Sequence, residues 1–250
     1  MRHPLHRYWS TATIGGPENC APLARILAKN LGVCVACPQC RLALEYKFST
    51  GVSDVWDGLK WITVHTNTVG ADPAQGFIIG GVSAGGNFAS VLAHLARDGG
   101  LTPPLTGMML SAHQCLPPSV VPETYKGRYL SRSDPACMDA PVLNRKSKKM
   151  FEEALGADEG DQMFGVFNWK NGHEGLPQTY IQVCGMDVNR DEAIIYEDVL
   201  TWLGVKTKMD VYPGMPHIFW SVFTTHSLTK KWWSDTLAGV AWLLGKDTQL

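Results

Sequence analysis

"GFIIGGVSAGGNFAS", Gly76 to Ser90, is an apolar run that ends in one serine framed by glycines, with a helical pattern beyond it. "GFIIGGV" reads as a short buried strand and Phe88 to Arg97 as a helix. Gly81-Val82-Ser83-Ala84-Gly85 thus matches G-x-S-x-G between a strand and a helix, the setting in which that motif carries chemistry. A strand that turns at once into a helix holds its serine in a strained backbone. Side chains at Gly81 and Gly85 would collide with the neighbouring strand and helix. The helix start then points free N–H groups at the reaction centre, with that of Ala84 as one oxyanion donor. For the pentapeptide alone, the plain alternative is a structural or phosphate-binding glycine turn.

Outward from this point, strand-like and helical patterns alternate. "PENCAPLARILAKNLG" places Leu23, Ile26, Leu27 and Leu31 on one stripe and stops at Gly32. "VCVAC" follows as a strand, and Ser53 to His65 as a helix with Val55, Leu59 and Ile62 on one side. "LTGMMLSA" and "QTYIQVCG" are further strands, then come a helix from Glu192 to Leu203, the strand "KTKMDVYP" and a helix from Ser227 to Leu244. Continuous apolar strands alternating with helices predict an α/β fold, a mostly parallel sheet covered on both faces. Between Gln114 and Leu176 the alternation stops, and Pro117, Pro118, Pro122, Pro135 and Pro141 break the chain. That stretch is too long for a plain loop and reads as a lid or cap over the strand ends, inserted at about 114–176 in a single domain of 1–250.

With 22 basic and 23 acidic residues, the chain offers no electrostatic footprint for nucleic acid. No apolar run reaches the roughly 18 residues of a membrane span. "MRHPLHRYWSTAT" lacks the apolar stretch of a secretory signal, so a cytoplasmic address is expected. The seven cysteines are then expected to be reduced thiols. Cys34, Cys37 and Cys40 form C-x-x-C-x-x-C, but a metal site would want a fourth ligand nearby and the next cysteine is Cys115. The expectation is no metal, with "GVCVAC" a buried strand that uses cysteine as a small hydrophobe.

A serine hydroxyl needs a base, and the base needs an orienting group. In this architecture the order is Ser, acid, His, each after a later strand. Asp187 lies just past the strand ending at Cys184, and His217 in the loop beyond the strand ending at Tyr212. Taken singly, Asp187 reads as a helix cap or turn residue, and His217 as one of eight histidines. Jointly they form the triad Ser83, Asp187, His217. Four neighbours are weaker candidates. His113 follows a strand end and is a pocket candidate. Phe219 and Trp220 flank His217 as core packing or as an acyl-pocket wall, and Asn87 reads as a brace for the elbow.

Here the sequence resembles the hormone-sensitive-lipase-like carboxylesterases, the fold-3 group of α/β-hydrolases, and its fungal members above all. "GGVSAGGNFA", "CRLALEYKFSTGVSDVWDGLKW", "DAPVLN", "LPQTYIQVCGMDVNRDEAIIYEDVL" and "KMDVYPGMPHIFW" carry the resemblance, which runs from about Ile14 to Leu244. It implies hydrolysis of small-molecule carboxylic esters or lactones without a cofactor, with the 114–176 insert shaping the pocket. It also leaves a homodimer through the last strand and helix as an open expectation. The position before the nucleophile, often Asp in the group, is Val82.

The same resemblance exposes a gap. The H-G-G-G motif whose N–H groups complete the oxyanion hole is absent, and the aligned stretch is "YWSTAT", Tyr8 to Thr13. Gly15 and Gly16 are candidate replacements in the pocket. The strand before that motif would lie between "VCVAC" and "GFIIGGV", and only Met1 to Arg7 is left to build it, so the N-terminal strands are expected to be reduced. Pro38, at the end of "VCVAC", suits a strand that has become an edge. Three explanations follow: a short hydrolase with an improvised oxyanion hole, a repurposed scaffold, or a truncated sequence. The leading reading is a serine hydrolase. The alternative is a small-molecule binder or a cyclase, dehydratase or isomerase of specialised metabolism. A third, an interaction protein, would show an exposed patch at Trp220 or Trp232–Trp233.

Overall fold

β3 (Phe77–Val82) is buried along nearly its whole length, as a central parallel strand must be. The computed structural model describes residues 19–246 and the backbone of one further strand, β1 (Leu5–His6). The other strands are β2 (Cys34–Val35), β4 (Gly107–Ser111), β5 (Gln178–Cys184) and β6 (Thr207–Tyr212). They form one parallel sheet in the order β2-β1-β3-β4-β5-β6. The helices are α1 (Ala21–Leu31), α2 (Thr50–Val64), α3 (Ala84–Asp98), α4 (Glu123–Lys126), α5 (Pro135–Met138), α6 (Arg145–Leu155), α7 (Arg190–Trp202), α8 (Phe219–Val222) and α9 (Ser227–Leu243). None of them is long and apolar enough to cross a membrane.

The two-residue period of the strands divides the core. Ile78, Met109, Tyr180 and Tyr212 face one side, where they pack with Leu23 and Leu27 of α1 and Trp232 and Val240 of α9. Phe77, Ile79, Leu110 and Ile181 face the other, against Val55 and Leu59 of α2, Val91 of α3 and Ile195 of α7. The helices therefore cover both faces. Helix α1 stops where expected: Gly32 adopts φ 64°, and its N–H caps Ala28 O at 3.1 Å.

One close approach joins α9 to the sheet. A Cβ on Gly239 would stand 2.1 Å from the Tyr180 ring. The ring cannot retreat, because its hydroxyl sits 2.7 Å from Asp210 Oδ2 and 3.0 Å from the Asp235 carbonyl. Gly239→Ala is expected to destabilise the protein by about 1–3 kcal/mol despite alanine's better helix propensity. Urea unfolding checks this, and an unchanged midpoint would refute it.

Two expectations need correction on the β2 side. "VCVAC" is not a fully buried strand. Only Cys34 and Val35 pair, both half-buried, because β2 has a neighbour on one side alone in the described sheet. The intervening strand expected from Met1 to Arg7 is β1, described at Leu5 and His6. Nor are all the cysteines reduced: Cys20, at the start of α1, is disulfide-bonded to Cys37 just past β2, with Cα atoms 6.8 Å apart. Packing α1 back beside β2 brings together two thiols that are distant in sequence. Cys34 instead donates to Val69 O, and Cys40 is buried.

The segment 113–177 runs from β4 to β5 and carries α4, α5 and α6. Polar groups pin it at several points. Asn87 of α3 donates to the carbonyls of Gln114 (3.1 Å) and Phe164 (2.7 Å). Glu192, buried in the first turn of α7, accepts from the backbone N–H groups of Cys115 and Leu116 and from Arg132. At the far end, Asp98 accepts from Trp169 Nε1 and Asn171, while His94 meets His173 at 2.8 Å. His94 Nδ1 faces the Ser90 carbonyl and so carries the proton, which leaves Nε2 to accept from His173.

Burial pushes His94 down to about 3, and His113 and His173 down to about 4. In the unfolded chain these rings take a proton near pH 6.5, so between the two values the unfolded state holds more protons. Stability is therefore full above about pH 6.5 and is lost as pH falls toward 4. Neither ring nitrogen of His113 has a hydrogen-bond partner among the described residues. His113→Leu should hold or raise the melting temperature at pH 7 and flatten its decline between about pH 6.5 and 4. A steeper decline would contradict this account.

Candidate active site

The turn after β3 is made in one residue. Ser83 takes φ 54° and ψ −122°, a conformation costing a side-chain-bearing residue roughly 1–3 kcal/mol. Its backbone is held there, with Ser83 N–H donating to Ser111 O at 2.9 Å and Ser83 O accepting from Gly86 and Asn87. The glycines follow from crowding. A Cβ on Gly81 would lie 2.0 Å from Gly85 O, and one on Gly86 would lie 2.5 Å from His113 Cβ. Ala84 opens α3, where first-turn N–H groups have no carbonyl to bond within the helix.

Two loops at the same end of the sheet complete the arrangement. Gly185 N–H donates to Tyr212 O, and Met186 N–H to Met215 O, both at 2.9 Å, which ties the loop after β5 to the loop after β6. Asp187, 1% exposed, accepts from Asn189 N–H at 3.0 Å through Oδ1. Its Oδ2 lies 2.6 Å from His217 Nδ1, and His217 Nε2 lies 2.9 Å from Ser83 Oγ. A carboxylate only accepts, so Nδ1 carries the imidazole proton and Nε2 is bare toward the serine hydroxyl. This is the geometry for removing a proton from Ser83.

Ser83 and His217 open onto a cleft of about 720 Å³. The 113–177 segment contributes Gln114, Leu143, Lys148, Phe151, Leu155 and Phe164 to its walls. Of the residues singled out in the sequence, Ser83, Ala84, Asn87, His217 and Trp220 line the cleft. Asp187 stands behind His217, and Gly81 and Gly85 are buried under the elbow. His113 and Phe219 are corrections. Ala112 takes φ 47° and turns the chain so that His113 is buried beside Tyr196. Phe219 packs fully buried against Tyr212 on the core side of α8. Gly15, Gly16 and the "YWSTAT" stretch lie outside the described residues. Trp232 and Trp233 form no exposed patch: Trp232 is 1% exposed and stacks on Trp220 at 4.0 Å, and all three wall the cleft.

Lys148 is a lining residue that the sequence did not single out. It is 6% exposed on α6, and burial lowers its ammonium to about 8. Within "NRKSKKM" it has the look of a solvated helix face, and no local signal sets it apart from Lys146 or Lys149.

Comparison with known proteins bears on what this geometry serves. A family model described as the alpha/beta hydrolase fold matches residues 10–221. An AB hydrolase superfamily protein of Schizosaccharomyces pombe is 38% identical over 223 residues, which cover 89% of this chain and 65% of the relative. A versiconal hemiacetal acetate esterase of Dothistroma septosporum is 29% identical, over 90% of this chain and 68% of its own length. The chain thus spans about two thirds of the length of these relatives. Among solved structures, a vibralactone cyclase superposes with TM-score 0.90 at 35% identity, covering 97% of this chain and 71% of that one.

Proposed function

The chain belongs to the hormone-sensitive-lipase-like carboxylesterase group of the α/β-hydrolase fold, and on that premise we propose that it is a serine hydrolase of carboxylic esters or lactones. The observation that carries the reading is the continuous hydrogen-bonded relay from Ser83 through His217 to Asp187. In this mechanism Ser83 Oγ attacks the ester carbonyl while His217 Nε2 takes its proton. The tetrahedral oxyanion is met by the Ala84 N–H. His217 then protonates the departing alkoxide, which leaves an acyl group on Ser83. Water, deprotonated by His217, releases the acid and restores the serine. Asp187 fixes the tautomer and stabilises the transient imidazolium. The 114–176 insert acts as a cap whose inner side supplies much of the substrate wall.

The test is incubation with p-nitrophenyl acetate and butyrate and with a fluorophosphonate probe. Hydrolysis and labelling that both disappear in Ser83→Ala support the reading. Folded protein that shows neither overturns it. A second reading is favoured by the 35% identity to a vibralactone cyclase. On this second reading of the present chain, a hydroxyl of the substrate itself attacks the acyl-enzyme in place of water, and a lactone leaves. Heavy-oxygen water separates the two, because hydrolysis puts its oxygen into the acid product and cyclisation does not.

A further inference from the structure

The cleft has a polar corner that the relay does not use. Lys148 donates to Gln114 Oε1 and, at 3.2 Å, to Asn189 Oδ1, and all three residues line the cleft. An ammonium group can only donate, so both amides must turn their oxygens toward it. Their NH₂ groups are thereby left over, and neither has a hydrogen-bond partner among the described residues. Glu152 also lines the cleft beside Lys148, and the three residues themselves present N–H donors to it. Around it the walls are apolar, with Phe48, Val52, Phe88, Phe151 and Phe164 among them.

Charge points the same way. Amide oxygens do not neutralise a cation, and the acidic neighbour Glu152 lies 3.7 Å from Lys148 Nζ. Glu152 is itself held by Arg132 at 3.0 Å, and Arg132 also pairs with Glu192 at 2.6 Å. The charged groups felt at Lys148 are therefore Arg132 from the loop after α4, Glu152 one turn along α6, Glu192 on α7 and Asp187 before it. Glu152 is thus shared between Lys148 and Arg132, and a substrate carboxylate would add a charge-assisted hydrogen bond at the N–H of Lys148 that neither amide takes.

We propose that Lys148, Gln114 and Asn189 form a carboxylate-binding subsite, and that the substrate is an ester bearing a free carboxylate besides the bond that is cleaved. The carboxylate takes the remaining N–H of Lys148 and the NH₂ groups of Gln114 and Asn189. The inference rests on the cleft being the substrate site of the hydrolase reading, so one arm of its test requires no turnover.

In the kinetic arm, kcat/KM is compared for mono-p-nitrophenyl glutarate and the neutral p-nitrophenyl butyrate. The wild type is expected to favour the charged ester, and Lys148→Met to reduce that preference by about 10- to 100-fold. The preference should also decline from about pH 7 to pH 9 as Lys148 loses its proton. A wild-type preference for the neutral ester, or a preference untouched by Lys148→Met, overturns the proposal. Should Lys148→Met fail to fold, Gln114→Leu removes one donor and is expected to lower the preference about three- to tenfold; no change overturns it equally. If no ester is turned over, calorimetric titration with hexanoate decides. Binding weakened about tenfold or more in either variant supports the subsite, and equal binding, or none in the wild type, refutes it.

Discussion

Ser83→Ala is expected to lower kcat for any accepted ester by about 10⁴- to 10⁶-fold while leaving the fold intact. The size of the loss follows from the relay, in which His217 Nε2 faces Ser83 Oγ at 2.9 Å and loses its proton donor when that oxygen is removed. The fold survives because the elbow is held by backbone groups, through Ser111 O, Gly86 N–H and Asn87 N–H, which the substitution leaves in place. His217→Ala is expected to cost about as much, and the double variant little more than either alone, because the two groups act as a unit. Asp187→Asn should cost about 10⁴-fold, since an amide in place of the carboxylate favours the wrong tautomer of His217. Steady-state kinetics with circular dichroism checks all four proteins. Ser83→Ala retaining more than about a hundredth of wild-type turnover would remove Ser83 from the nucleophile's role.

Gly81→Ala is expected to abolish stable folding, a loss of about 4 kcal/mol or more. The added methyl would lie 2.0 Å from Gly85 O, 2.1 Å from Gly85 C and 2.5 Å from Gly86 N. All three are backbone atoms of the first turn of α3, so no side chain can swing aside, and relief requires moving the helix off the sheet. Gly100→Ala is the matched control. Gly100 has φ +60° and nothing within 4 Å of a new Cβ, so it isolates the strain of the left-handed backbone, roughly 1 kcal/mol. Chemical denaturation of the pair separates crowding from strain. Equal losses would mean that crowding at the elbow has been misjudged.

The parallel sheet was legible because Phe77–Val82 is apolar without interruption, and only burial on both faces asks for that. Asp187 and His217 were legible through order along the chain, and they lie 2.6 Å apart in the structure. His113 and Phe219 were read as pocket candidates because a residue near a strand end can point either way. The positive φ at Ala112 and at Ile218, which turns each chain locally, has no signature in those residue types. Lys148 was hidden for a different reason. Its burial is created by Gln114 and Asn189, 34 and 41 positions away, and periodicity within α6 carries no trace of them. The Cys20–Cys37 pairing is hidden likewise, since it depends on how α1 docks beside β2.

Leu5 and His6 supply all the described strand pairing that fastens β2 to β3. That seam is far shorter than the five-residue register joining β3 to β4 or the six-residue one joining β5 to β6. Asn19, Pro22 and Leu23 line the cleft on the side of α1, while Ser83, Asp187 and His217 follow β3, β5 and β6. The reacting side chains thus follow the longest registers of the sheet, where backbone amide exchange is expected to be slowest.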